Sequence, residues 1–66
     1  MKVRTADYPQ LTLLLWNRRA DELDGREAFA LYEANWRHID VDHLTPAEAA
    51  LIQQLTREYG GGLLNV

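Results

Sequence analysis

Residues 45–60 decide the fold, and they read TPAEAALIQQLTREYG. A threonine followed by a proline predicts a helix start, because threonine caps the first backbone amides and proline has no N–H to leave without a partner. Glu48 stands three residues after Thr45, a spacing at which its side chain is expected to reach back to the cap amide. Gly60 supplies the left-handed position at which many helices end. A helix is therefore predicted over residues 46–59.

Residues 25–38 are predicted to form another helix, with Asp24 as its cap residue and Glu27 at capping-box spacing. At about 100° per residue, the apolar side chains of each helix fall on one broad face. On this helix the face comprises Ala28, Phe29, Leu31, Tyr32, Asn35, Trp36 and Ile39. On the later helix it comprises Ala47, Leu51, Ile52, Leu55 and Tyr59. A buried amide needs a hydrogen-bond partner, so Asn35 is expected to bond the backbone of residues 41–44.

Residues 9–18 read PQLTLLLWNR and are predicted to form a third helix, because leucine favours helix and Pro9 suits a first turn. Asp7 is the candidate cap residue. The alternative is a buried strand at residues 11–16, since a short apolar run has no period that distinguishes the two. Residues 1–8 have no periodicity and are expected to form a flexible tail.

The whole chain, residues 1–66, is expected to be one small, mainly α domain of three helices at about 9–18, 25–38 and 46–59. A glycine-led apolar tail follows at residues 60–66, either irregular or a short strand. A chain of this length buries only about 60% of the surface that its unfolded form exposes. Its core is therefore thin, and self-association is expected to add stability.

Composition and charge argue against several classes of protein. The chain has no cysteine, which removes disulfide frameworks and thiolate metal sites and favours a reducing cytoplasm. Ten acidic and seven basic residues give a net charge of −3, which argues against a dedicated nucleic-acid binder. The apolar run at residues 11–16 is too short for a membrane helix or a signal peptide. The sequence therefore predicts a soluble cytoplasmic protein that does not enter a membrane.

Leu13 and Trp16 indicate a binding surface. If residues 9–18 are helical, these two side chains point nearly opposite to the neighbouring leucines. A helix that is apolar on all sides must be covered on all sides, and this chain has little material for a second layer. We therefore expect both residues to contact a protein partner or a second copy of the chain. Three further apolar residues either join this interface or cover it within the monomer: Leu63, Leu64 and Val66.

The loop between the two longer helices carries side chains of the types that bind zinc and other divalent cations. The candidate ligands are His38, Asp40, Asp42 and His43. No histidine pair has the i, i+4 spacing of a helical metal site, and short clusters of this kind are common in solvated loops. A solvated loop is the favoured interpretation, so no metal or cofactor is expected. The chain also has neither serine nor cysteine to pair with a histidine base, and no enzymatic activity is predicted.

These features together predict a non-catalytic protein–protein interaction module, acting as an accessory subunit or a small regulator and associating with itself. The alternative is a DNA-binding regulator of the helix–loop–helix type. Against it, the connection at residues 39–44 is long for the tight turn of that motif, and the later helix offers only Arg57 to read bases. Binding of a divalent metal by residues 38–43 is a further alternative.

Overall fold

The computed structural model describes residues 1–16 and 20–62. Within them the chain forms three α-helices: α1 (Pro9–Leu14), α2 (Gly25–Ala34) and α3 (Pro46–Tyr59). Two short strands complete the fold: β1 (Lys2–Arg4) and β2 (Glu22–Asp24). Single 3₁₀ turns lie at Thr5–Asp7, Trp36–His38 and Val41–His43. The mainly α, three-helix class predicted from the sequence is confirmed.

The strands β1 and β2 pair antiparallel and form a two-stranded sheet. Val3 lies opposite Leu23, and both are buried, so the middle of each strand faces the core. The flanking cross-strand pairs have opposite charges, Lys2 with Asp24 and Arg4 with Glu22. This sheet corrects the expectation of a flexible tail at residues 1–8. Three residues with one buried side chain are too few to give a periodic signal, and their pairing partner lies about twenty residues away.

Helix α1 settles the ambiguity of the apolar run in favour of helix. It is shorter than the predicted 9–18, because Leu15 turns out of the helix and its N–H donates to the Thr12 carbonyl at 3.1 Å. Residues 17–19 lie outside the described part of the chain. The expected cap at Asp7 is wrong, since Tyr8 occupies the cap position and its side chain makes no capping hydrogen bond.

Helix α2 ends at Ala34, and a 3₁₀ turn continues to His38, so the predicted span of 25–38 is too long. Asn35 stands where the α-helix changes to the 3₁₀ turn. Its side-chain amide donates to the Leu31 carbonyl at 2.9 Å, and its backbone N–H donates to the same oxygen at 3.1 Å. Asparagine commonly competes in this way with the regular helical ladder. The expected bond from Asn35 to residues 41–44 is therefore wrong.

Helix α3 has the predicted bounds, and Thr45 accepts the Glu48 N–H at 3.1 Å as its cap. The left-handed residue is Gly61, with φ +61°, whereas Gly60 has φ −105°. The left-handed backbone thus begins one residue later than predicted and includes Gly62, with φ +90°, while the last helical residue is Tyr59 as expected. Residues 63–66 lie outside the described part of the chain, so the expected irregular or short-strand C-terminal tail is described only as far as Gly62.

The core lies where α2 packs against α3, with α1 and the sheet closing it. Its apolar members are Val3, Leu11, Leu15, Leu23, Ala28, Phe29, Tyr32, Ile39, Leu51, Ile52 and Leu55. One charged residue is fully buried among them, and it is Glu48. On the face of α3 it takes the place expected for Ala47, which is exposed. The burial of a carboxylate in so small a core makes this position important for the arrangement of the helices.

Candidate functional site

The first candidate site is the surface formed by Leu13 and Trp16, together with the groove between them and the end of α2. We call it the Leu13/Trp16 surface. Leu13 is 66% exposed and Trp16 is 83% exposed, both unusual for large apolar side chains. The groove is lined by Gln10, Leu13, Leu14, Trp16, Asn35 and His38.

The helical twist of α1 accounts for this exposure. Leu11 is fully buried and Leu15 is 6% exposed, so one side of the segment is used by the core. Leu13 lies on the other side, as the helical spacing predicts. The same spacing leaves Trp16, just past the helix end, outside the core. The other members of the predicted interface, Leu63, Leu64 and Val66, lie outside the described residues.

The groove is small and has both apolar and polar walls. Its volume is about 330 Å³, at the lower limit of the roughly 300–1,000 Å³ typical of small-molecule pockets. Its walls combine apolar atoms of Leu13, Leu14 and Trp16 with the amides of Gln10 and Asn35. Among the described side chains that line it, the imidazole of the exposed His38 is the one titratable group. The groove is thus a small concavity whose walls combine apolar atoms, two amides and one imidazole.

The loop at residues 38–43 brings together only two of its four candidate ligands. The Asp40 carboxylate oxygen Oδ2 accepts a hydrogen bond from the His43 ring nitrogen Nδ1 at 2.8 Å, and both side chains are exposed. This hydrogen bond raises the pKa of His43, with the charge of Asp40 adding to the effect. In residues 1–16 and 20–62 no group of three His, Cys, Asp or Glu side chains is placed to hold a metal ion. The geometry is that of a solvated pair.

Sequence reasoning missed the buried junction centred on Glu48. One carboxylate oxygen, Oε1, accepts the N–H of Gln10 at 3.0 Å. The other, Oε2, accepts the N–H of Leu11 at 2.9 Å and the hydroxyl of Tyr32 at 2.7 Å. The predicted bond from this carboxylate back to its own cap amide is wrong, because the side chain crosses to α1 instead. Glu48 thus caps a helix that begins nearly forty residues earlier in the chain.

The charge of Glu48 is stabilised without a cation among its partners in the described residues. It faces the first amides of α1 and itself stands in the first turn of α3, and helix N-termini favour negative charge. The Tyr32 hydroxyl donates the third hydrogen bond. Burial, followed by this hydrogen bond to Glu48, raises the pKa of Tyr32 far above its usual value. Burial and the acceptor Glu48 thus both favour the protonated phenol, which is the form that donates.

A signal for this junction is present in the sequence. Glu48 precedes Leu51, Ile52 and Leu55 by three, four and seven residues, which places it on their face of the helix. Tyr32 lies on the apolar face of α2, where a hydroxyl requires a partner. A charged acceptor and a donor on two facing apolar stripes would have suggested a buried pair. The capping-box spacing with Thr45 instead gave Glu48 a local explanation.

The loop that joins α2 to α3 contains the 3₁₀ turns Trp36–His38 and Val41–His43. The helix–turn–helix motif uses a single turn of about three to four residues. Arg57 is exposed in the last turn of α3. The DNA-binding alternative stays an untested prediction.

In residues 1–16 and 20–62, every helix is too short or too polar to cross a lipid bilayer. No protein-family model, curated protein or solved structure matches the chain.

Proposed function

We propose that this chain is a non-catalytic protein–protein interaction module that associates with a second copy of itself through the Leu13/Trp16 surface. The observation that carries the proposal is the 83% exposure of Trp16 beside a groove with apolar walls. Tryptophan is the side chain most enriched at the energetic centres of interfaces, and its exposure to water is unfavourable.

A second copy is the occupant that this geometry favours. Trp16 protrudes from the groove that it helps to line, so a single face offers both an apolar side chain and a concavity, and we expect it to accept the same face of a second copy. In a twofold dimer, Trp16 of one copy would enter the groove of the other, and the reverse contact would form at the same time. Association would also add apolar burial to a thin core.

The size of the surface sets the expected strength. A stable dimer buries about 800 Å² on each partner, whereas a large aromatic side chain contributes about 150–250 Å². The Leu13/Trp16 surface by itself therefore supports weak, reversible association. Such a module suits an accessory subunit or a small regulator whose assembly depends on concentration. The lack of cysteine is consistent with a cytoplasmic setting.

Sedimentation of the purified chain over the micromolar to millimolar range tests the proposal. We expect a monomer–dimer equilibrium that Trp16→Ala shifts strongly toward monomer. Val41→Ala is the matched control, because Val41 is also apolar and 53% exposed but does not line the groove. A wild-type chain that stays monomeric at millimolar concentration, or two variants that weaken association equally, would contradict the proposal.

A further inference from the structure

We propose that Glu48 is a positioning residue that holds α1 on the α2–α3 pair, and that α1 opens as a separate unit when this contact is lost. The Leu13/Trp16 surface would then exist only while the contact is intact. The opening of α1 does not depend on the proposed function. Its effect on association does rest on that function.

The first support is that α1 cannot maintain itself. It has six residues, whereas isolated helices shorter than about 12 residues are marginal in water. The segment before it supplies no side-chain cap. Pro9 has no N–H, and Thr12 donates to the Tyr8 carbonyl at 2.9 Å. The two amides between them, those of Gln10 and Leu11, are the ones that Glu48 accepts.

The second support is the distribution of polar contacts between α1 and the later helices. In the described residues, the other hydrogen bond that joins α1 to them runs from the Asp40 N–H to the Gln10 side-chain oxygen at 3.2 Å, and it is exposed. Exposed hydrogen bonds contribute little, because water replaces them readily. The Thr12 hydroxyl bonds the Thr5 carbonyl, which belongs to the N-terminal segment itself. Glu48 is therefore the buried polar link.

The third support is that α2 and α3 have contacts that do not involve α1. Thr45 caps α3 locally. At the far end of the pair, the rings of Phe29 and Tyr59 lie 6.5 Å apart, and the Arg26 guanidinium lies 5.4 Å from the Tyr59 ring centroid. Separate contacts of this kind allow one element to open while others remain folded.

Opening of α1 would dismantle the surface. Leu13 belongs to α1, and Trp16 follows its last turn, whereas Asn35 and His38 belong to the segment that follows α2. The groove is thus built from two elements that Glu48 keeps in register. Leu11 and Leu15 leave the core in the same step, which limits how often α1 opens.

Native-state hydrogen exchange tests the inference. We would compare the wild type with Glu48→Gln, which keeps the shape but replaces one acceptor oxygen with a donor, and with Glu58→Gln, an exposed control on the same helix. In Glu48→Gln, the amides of α1 should exchange at least about tenfold faster than in the wild type, which corresponds to about 1.4 kcal/mol. Amides of α2 and α3 should change less, and Glu58→Gln should change neither group.

Equal acceleration in all three helices would overturn the inference, since it would mean that Glu48 supports global stability alone. Unchanged exchange at Gln10 and Leu11 would overturn it as well. If Glu48→Gln does not fold, the denaturant dependence of exchange in the wild type decides: α1 amides that open only with global unfolding contradict a separate unit. A variant with open α1 but undiminished self-association would leave the positioning role intact and would contradict the proposed function.

Discussion

The Glu48 junction and the Leu13/Trp16 surface both reverse the usual placement of side chains. The first puts a carboxylate at 0% exposure in the core, and the second puts a tryptophan at 83% exposure on the surface. The two reversals differ in whether they are compensated. Three donors satisfy Glu48, whereas no neighbour in the described residues covers Trp16. A compensated reversal serves the fold, whereas the uncompensated exposure of Trp16 is the observation on which the proposed association rests.

The largest expected effect follows from removing the carboxylate. Glu48→Ala leaves two backbone N–H groups and the Tyr32 hydroxyl buried without acceptors, and each such group costs about 1–3 kcal/mol. A domain of this length has a free energy of unfolding of about 3–10 kcal/mol. We expect α1 to open first and the free energy of unfolding of the remaining α2–α3 pair to fall, as measured by hydrogen exchange of the α1 amides and by urea denaturation followed by circular dichroism. Glu58→Ala, on the exposed side of α3, should change stability by less than about 0.5 kcal/mol. A stable Glu48→Ala variant would contradict the compensation argument.

Tyr32→Phe tests the same junction from the donor side. It removes one hydrogen bond to a charged group, which is worth about 1.5–3 kcal/mol. The pKa of Tyr32 is raised in the folded state above the value of about 10 in the unfolded chain. Its stabilising contribution is therefore complete below about pH 10 and falls as the pH rises further, because only the unfolded chain releases the proton.

The measurement is urea denaturation of the wild type and of Tyr32→Phe at pH 9 and pH 11. These two pH values lie on either side of the usual tyrosine pKa of about 10. We expect the wild type to lose more stability between the two pH values than Tyr32→Phe does. Tyr8 and Tyr59 are present in both proteins, so the difference isolates Tyr32. Equal losses would show that the Tyr32 phenol does not distinguish the folded from the unfolded state.

Trp16→Ala and Leu13→Ala test whether the Leu13/Trp16 surface contributes to the stability of the monomer. Because both side chains are exposed, each substitution should change the free energy of unfolding of the monomer by less than about 0.5 kcal/mol. Leu11→Ala is the matched control on α1, and removing this buried side chain should cost about 2–5 kcal/mol. Denaturation at low protein concentration measures these values. A Trp16→Ala cost similar to that of Leu11→Ala would mean that Trp16 belongs to the core.

The smallest effect is expected at the pair of Asp40 and His43. As in the Glu48 junction, a carboxylate accepts a hydrogen bond, but here both side chains are exposed to water. The bond raises the pKa of His43, so its contribution is complete below the unfolded value of about 6.5 and is lost as the pH rises through the folded value. NMR titration should show the pKa of His43 falling in Asp40→Asn and unchanged in Asp42→Asn. Global stability should barely respond, because water competes for both groups.

Local chemistry made much of the fold predictable. Helix α3 has the expected bounds because Thr45, the proline after it and the glycines at its end act on backbone groups within one turn. The exposure of Leu13 opposite Leu11 also follows from helical geometry alone. The sequence likewise excluded cysteine chemistry, since that exclusion requires only composition.

Contacts between distant residues decided the rest. Strand β1 exists because it pairs with β2, and α1 is capped by Glu48, a residue 37 positions after Leu11. A local pattern gives no indication of such partners, because the same glutamate satisfies a capping-box spacing and a core position equally well. The packed structure shows that Glu48 occupies the core position and does not close a capping box. In the buried junction, three donors converge on the carboxylate, and hydrogen bonds are stronger there than in water. They therefore stabilise Glu48 more than a single exposed amide at the start of its own helix would.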